Sequence, residues 1–435
     1  MRHVQVIGVD VSESSIKVLQ LDADNVIRAY GNTSLAKGVV ENGRIIDVEA
    51  FSLALNNVLK QTKPRILRSE ENILHAVLCL SESKLFSHQC VVPNTVQNTE
   101  IEAYVRADAQ KIIPFELDTL YWNYHVSDNQ GIRNATFVGV AKPDLENYVR
   151  AFTNAKVRPV FVGGELCALG QSLLPDSPFD EDYIILDIGA HSTTIGLFSV
   201  DTIPSISIFI PMGGDYFSQC VVERLKISSE EAERMKRQYG VNPIHDDTRV
   251  PALLRECILP IIEKINEAKI YFEKKTGRSI TRIIIAGGSA LLPYIDVYIS
   301  EKLSVETCIA DPLAKIKEHE LLGDGTPSIF FANVIGLALC AKKTDFSHIN
   351  LLTQFRDDEN VIEEESLSLQ DIRSFSDFWY IINHFLRRIK ISIRMKSFIH
   401  SFHIPIIKPT LKLYIAIFIL LGTVAFLVLV SKHYL

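Results

Sequence analysis

The chain writes one pattern twice. Residues 6–21 read VIGVDVSESSIKVLQL, and residues 183–200 read YIILDIGAHSTTIGLFSV. Each is an apolar run that ends in an aspartate, passes through a short turn of small and hydroxyl residues, and enters a second alternating run. Alternation with period two marks strands, and a short polar connection between two such runs predicts a hairpin. Asp10 and Asp187 hold the same place, and Ser15 and Ser192 align without a gap. The next isoleucine, Ile16 or Ile195, comes slightly later in the second copy. One hairpin with a hydroxyl-rich turn is ordinary. The same hairpin in each half of a 435-residue chain predicts an internal duplication and two similar lobes.

A third unit follows at residues 282–303, RIIIAGGSALLPYIDVYISEKL. Its apolar strand meets Gly287–Gly288, where a helix is expected to begin. Paired glycines let a ligand approach the backbone, and a helix N-terminus offers it free N–H groups. Helices are also expected over Ser228–Gly240, with a serine cap and an acidic first turn, and over Val250–Gly277, with Pro260 as an interruption. Residues 91–126 read as strand end, helix and strand, an inserted subdomain between the two aspartate turns.

The C-terminal part has another character. Residues 356–371, RDDENVIEEESLSLQD, are acidic and without core spacing, so a flexible linker is expected. Phe378, Trp379, Ile382, Phe385, Leu386 and Ile389 then repeat at helical spacing opposite a basic face, as in a helix lying on a membrane surface. Leu413–Val430 is an 18-residue run without a charge, long enough to span a bilayer. Seven Lys or Arg and no acid lie between Asn383 and Lys412, and only Lys432 follows the run. The positive-inside rule places the bulk of the chain in the cytoplasm. The N-terminus shows no apolar signal-peptide core, so a tail-anchored protein is expected. The seven cysteines are scattered and form no C-x-x-C pair, which argues for reduced thiols and against a metal site or disulfide framework. A net charge of −7 argues against a nucleic-acid partner.

Two aspartate turns followed by a strand–Gly–Gly–helix unit resemble the actin-like ATPase superfamily, with its phosphate-1, phosphate-2 and adenosine motifs in that order. The closer resemblance is to the PilM family, the cytoplasmic actin-like proteins of type IV pilus assembly. It covers about residues 4–345 and rests on IGVDVSESSIKVLQL, LSESKLFSHQCVVP, RADAQKIIPFELDTLYWNYHV, ILDIGAHSTTIGLF, SSEEAERMKRQYG, IIIAGGSALLP and ANVIGLALC. Ile349–Asn350–Leu351–Leu352 is similar to the INLL peptide of PilN, the membrane partner that PilM-like proteins grip. The whole looks like PilM fused to the cytoplasmic and membrane parts of PilN.

The resemblance implies an α/β, two-lobed actin-like ATPase fold built on ribonuclease H-like repeats, with one C-terminal transmembrane helix. The expected organisation is an actin-like domain at 1–345 with an inserted subdomain at about 85–155, then the INLL motif at 346–354. An acidic linker and basic juxtamembrane segment at 355–410, a transmembrane helix at 411–430 and a short periplasmic tail at 431–435 follow.

It implies ATP between the lobes, with Ser12, Ser14, Ser15, Lys17, Gly189, Ser192 and Thr193 around its phosphates. Asp10 and Asp187 would hold Mg²⁺ largely through its waters. Gly213 and Gly214 would allow close approach, Glu233 and Lys236 would border ribose and adenine, and Gly287, Gly288, Ser289 and Ala290 would receive the base and ribose. Glu165, on a helix before phosphate-2, is the candidate to position a hydrolytic water.

One departure stands out. PilM-like proteins read D-x-G at phosphate-1, whereas this chain has Asp10–Val11–Ser12. If position 12 needs a left-handed backbone, a side chain costs about 1–2 kcal/mol, or about a 5- to 30-fold loss of affinity.

The function implied is an inner-membrane assembly protein of the type IV pilus machinery. Its partners would be PilN/PilO-like proteins, with self-association through the shared motif, and weak ATPase activity is left open. The alternative is a nucleotide-free actin-like scaffold of a pilus or GspL-like type II secretion platform, which Ser12 favours. A metabolic kinase of the same superfamily is disfavoured by the membrane span.

Overall fold

The computed structural model describes residues 6–66, 74–129, 131–244, 249–318, 320–322, 326–342 and 349–355. The expected linker, juxtamembrane helix, membrane span and tail lie outside them. Among the described residues no helix is long and apolar enough to cross a membrane.

The first lobe opens with β1 (Val6–Val11), β2 (Ser15–Leu21) and β3 (Ile27–Ser34), then the short strands β4 (Val40–Glu41) and β5 (Arg44–Ile45), α1 (Val48–Gln61) and β6 (Leu74–Leu80). An insertion follows: β7 (Leu85–Val91), α2 (Ile101–Ala109), β8 (Leu120–Asn129) and β9 (Ile132–Ala141). The lobe is completed by α3 (Lys142–Asn154) and β10 (Val157–Gly164), and α4 (Glu165–Leu173) leads into the second lobe. There β11 (Tyr183–Ile188), β12 (Thr193–Phe198) and β13 (Ile206–Ile210) precede α5 (Gly214–Leu225), α6 (Ser229–Tyr239) and α7 (Arg249–Thr276). β14 (Arg282–Ala286), α8 (Ile295–Leu303), β15 (Glu306–Ile309) and α9 (Ala332–Ala341) complete the order.

The expected duplication is present in the sheets. One runs β10-β6-β1-β2-β3 and the other β13-β12-β11-β14-β15. In each, the hairpin is antiparallel and its first strand pairs parallel with the strand after the intervening helices. The two turns have equal length: Asp10 faces Lys17 across one hairpin, and Asp187 faces Thr194 across the other. The later isoleucine of the second copy is therefore a substitution and not a longer turn. Thr193 occupies the place of Ile16, and Ile195 that of Val18.

The strands of both hairpins are apolar on both faces because helices cover both. Val18 and Leu19 of β2, and Ile184 and Ile185 of β11, are neighbours that point to opposite faces, and all four are fully buried. α1 turns Phe51, Leu55, Val58 and Leu59 inward and meets α3 through the Phe51 and Phe152 rings, 5.7 Å apart. α3 thus packs on the first lobe, and the inserted sheet, β7-β9-β8, ends at Ala141, short of the expected boundary. That sheet has its own core, where Trp122 and Phe137 stack at 5.3 Å.

The lobes meet where α4 and α9 cross. A methyl group at Gly336 would fall on the Ala168 carbonyl, so the two helices touch backbone to backbone. Further along the chain, Ile349, Leu351, Leu352 and Phe355 are buried in the first lobe's core.

Candidate functional site

The first aspartate turn closes on itself. Ser12 N–H donates to the Ser15 carbonyl at 2.9 Å, and Ser15 N–H donates to Ser12 Oγ at 3.0 Å. The two hydroxyls lie 3.0 Å apart. Ser12 is not among the residues with positive φ, so the expected left-handed strain at position 12 does not arise. Its side chain braces the turn instead. Ser14 stands exposed at the tip, its carbonyl held by Leu35 N–H at 2.8 Å. Lys17 Nζ lies 3.0 Å from Asp10 Oδ2. Burial alone would lower the Lys17 ammonium, but Asp10 raises it above its ordinary value. This lysine therefore turns toward Asp10.

The second turn repeats the closing bond, from Gly189 N–H to the Ser192 carbonyl at 2.9 Å. The segment 213–215 packs flush on it. Gly214 N–H donates to the Gly189 carbonyl at 2.9 Å and Asp215 N–H to the Ala190 carbonyl at 2.8 Å. A Cβ on Gly213 would sit 2.6–2.8 Å from the same turn, which explains a glycine there. Thr193 departs from expectation: it is fully buried, and its hydroxyl donates to the Met212 carbonyl at 2.8 Å. It holds the turn to this segment and offers no hydroxyl to a phosphate. The two turns face one another through His191, which lies 2.8 Å from Asp215 and 3.7 Å from Glu13.

The glycine pair comes to the same place. Gly287 has φ +80°, and a side chain there would strike the Asp187 carboxylate and the Ile188 carbonyl. The helix expected to start at the pair does not. A short 3₁₀ turn, Gly288–Leu291, intervenes, and α8 begins at Ile295. Pro293 interrupts the run and cannot continue it as helix, so the free N–H groups of α8 are not at the glycines. Ser289 is buried with its hydroxyl 3.5 Å from the Gly189 carbonyl, and Ala290 is buried beside it.

α6 packs beside this site through Lys236. Buried Lys236 donates to the Gly214 carbonyl at 2.9 Å and lies 2.6 Å from Glu233. Burial would raise Glu233, but bonds from Lys236, Ser218 and Arg237 hold it down at about 2. Phe330, just before α9, completes the border. It is 42% exposed, with its ring edge 3.2 Å from where a Gly288 Cβ would stand.

Glu165 is the first residue of α4 and accepts a bond from Asn333 Nδ2 at 3.0 Å. Burial, with the charges of Asp187, Asp10 and Glu82, pushes its carboxyl well above the usual carboxylate range. Asp187 is pushed up to about 6 by burial and by Asp10, against the pull of Lys17. The N-terminus of α4 has no side-chain cap of its own, because Gly164 stands there. Glu82 substitutes: one oxygen accepts from Leu166 N–H at 3.2 Å and the other from Ser207 Oγ of the second lobe at 2.6 Å. Among the described residues no group of three or more His, Cys, Asp or Glu could close around a metal ion.

The INLL residues are gathered elsewhere, between β10 and β8. Leu351 N–H donates to the Val162 carbonyl at 2.9 Å. Asn350 Oδ1 accepts from Val162 N–H at 3.1 Å, and its Nδ2 donates to the Val160 carbonyl at 3.2 Å. Val162, the β10 residue that holds the segment, precedes Glu165 by three positions.

Sequence reasoning missed Glu13, His191, Glu82, Phe330 and Asn333. Each acts across a long sequence separation; Glu13, Glu82, His191 and Asn333 stand within stretches that carry the family resemblance, and Phe330 lies outside them.

The chain is 23% identical over 387 residues to the cell division protein FtsA of Streptococcus pneumoniae, covering 80% of this chain and 82% of that protein. It is 24% identical over 197 residues to FtsA of Bacillus subtilis, covering 41% and 44%. A solved PilM–PilN type IV pilus biogenesis complex shares the fold, with a TM-score of 0.64 and 18% identity over 78% of this chain and 99% of that one. Residues 8–341 match the model of the type IV pilus assembly protein PilM family, and the chain belongs to that family.

Proposed function

We propose that this protein assembles the type IV pilus machinery at the inner membrane, binding ATP between its lobes and gripping an INLL-type segment in the seam between β8 and β10. The observation that carries the nucleotide reading is convergence. Asp10, Lys17, Glu165, Asp187, Gly214, Gly287 and Ser289 come from separate elements and meet where the lobes join.

Lys17 would exchange Asp10 for a phosphate oxygen. The N–H groups and hydroxyls of the turns at Ser14 and Ser192 would donate to phosphates. The base would rest on the exposed Phe330 ring beside Gly288. Three carboxylates against one lysine leave excess negative charge, which suits a divalent cation. Asp10 and Asp187 would hold Mg²⁺ through its waters, supplying charge neutralisation to the phosphates. Glu165, steadied by Asn333, would orient a water.

Lobe closure about the α4–α9 crossing would move the β10–α4 corner, and with it the grip of Val162 on the segment. The PilM–PilN complex supports a PilN-like partner. The charge-free run Leu413–Val430 and its basic flank support a single-pass anchor with the bulk of the chain cytoplasmic.

A nucleotide-free scaffold is the second reading. It is favoured by Lys17 and Ser12, whose polar groups already have partners within the hairpin. Calorimetric titration of the full chain with Mg²⁺–ATP separates the two. Micromolar binding that Asp187→Ala abolishes supports the switch. No binding by the unmodified chain at millimolar ATP supports the scaffold.

A further inference from the structure

β10 is the outer strand of the first lobe's sheet and β8 the outer strand of the inserted sheet. An open sheet edge presents unpaired N–H and C=O groups that invite another chain. Residues 349–355 lie between these edges and bond to both. On the β10 side, the Asn350 amide imitates a peptide group, bonding Val162 N–H and the Val160 carbonyl while Leu351 bonds the Val162 carbonyl. On the β8 side, Gln354 Oε1 accepts from Trp122 N–H at 3.0 Å, and Asn123 Nδ2 donates to the Asn350 carbonyl at 3.0 Å. Phe355 meets Tyr121 edge-on, with ring centroids 5.5 Å apart. Thr353 joins them, its hydroxyl accepting from Asn123 Nδ2 at 3.4 Å, so the frame that the seam reads is longer than INLL: apolar, Asn, Leu, Leu, Thr, Gln, aromatic.

We propose that this is a self-filled peptide site. The chain's own residues 349–355 occupy the seam in cis and close it to an identical segment offered in trans by a partner or a second copy. The inference rests on the peptide-gripping reading above. Only the six residues 343–348 separate the segment from the described end of the actin-like domain at Lys342. A short tether sets an effective concentration of about millimolar. A free segment with an intrinsic dissociation constant of about 10 μM would then bind about 100-fold more weakly to the intact chain than to one whose segment is released.

The test uses a fluorescein-labelled synthetic peptide spanning residues 348–358, in fluorescence polarisation without nucleotide. It is titrated with the full-length chain, with full-length Leu351→Asp, and with full-length Asn350→Ala/Gln354→Ala. The second variant removes only polar seam contacts, in case a buried aspartate disturbs folding. Both variants are expected to bind the peptide about 100-fold more tightly than the unmodified chain, and a Gln354→Ala peptide is expected to bind them about tenfold more weakly. Equal binding to all three proteins overturns the closure while leaving the peptide-gripping reading standing. Binding to none of them overturns both.

Discussion

A methyl group added at Gly287 meets two obstacles at once. The residue sits at φ +80°, where an L side chain costs about 1–2 kcal/mol. Its Cβ would also fall on the Asp187 carboxylate and the Ile188 carbonyl. Overpacking of this kind costs about 1–3 kcal/mol. Gly277 provides the control, because it has φ +69° and nothing within 4 Å of its Cβ position. Gly277→Ala therefore measures the backbone cost alone, about 1–2 kcal/mol, whereas Gly287→Ala is expected to lose about 2–5 kcal/mol. Urea unfolding of the two variants beside the unmodified chain gives the difference. Mg²⁺–ATP titration adds a second readout: Gly287→Ala must displace Asp187 and lose affinity, while Gly277→Ala binds as the unmodified chain does. Equal unfolding free energies for the two variants, with binding intact in both, would refute the packing of Gly287 on Asp187.

Three further outcomes are expected. Ser12→Gly deletes the hydroxyl that accepts from Ser15 N–H, so it lowers stability by about 0.5–1.5 kcal/mol and leaves ATP affinity without a gain; improved affinity in calorimetry would restore the strained-turn account. Phe330→Ala removes an aromatic face worth about 1–3 kcal/mol per stacked base, so the ATP dissociation constant rises about 5- to 150-fold while that of tripolyphosphate is unchanged; equal losses for both ligands would place the ring away from the base. Asp187, at about 6 in the fold against 3.8 in its ordinary state, binds its proton more tightly when folded. Its contribution to stability therefore falls as pH rises from about 4 through about 6 and is flat above, a change of about 3 kcal/mol. Asp187→Asn lacks this change, so a stability difference between the two proteins that stays constant from pH 4 to 7 would contradict the burial of this carboxyl.

The duplication was legible because its evidence is local. Each hairpin carries its own alternation, its aspartate and its small turn residues, and the sheet order follows once the two are aligned. The helix α6 was legible from Ser228, its acidic first turn and Gly240. The conformation of Ser12 was not, because a D-x-G comparison gives the residue type and not the φ that the turn imposes. The delayed start of α8 had a signal in Pro293, which the glycine pair overshadowed. Thr193 shares the hydroxyl character of its neighbours, and only its register in β12 turns it toward Met212. The Glu13–His191 contact and the Glu82 cap join residues on different lobes and leave no periodic trace. Four residues of the seam motif could be read, but Gln354 and Phe355 gain their meaning only once β8 lies beside β10.

The central claim is that two turns and one glycine pair, drawn from both lobes, receive a single ligand. Hydrogen–deuterium exchange of the full chain with and without Mg²⁺–ATP tests it most directly. The account predicts that residues 10–17, 187–193, 213–215 and 287–290 gain protection together and over the same ATP concentration range. Protection in none of them, or in the segments of one lobe alone, would contradict it.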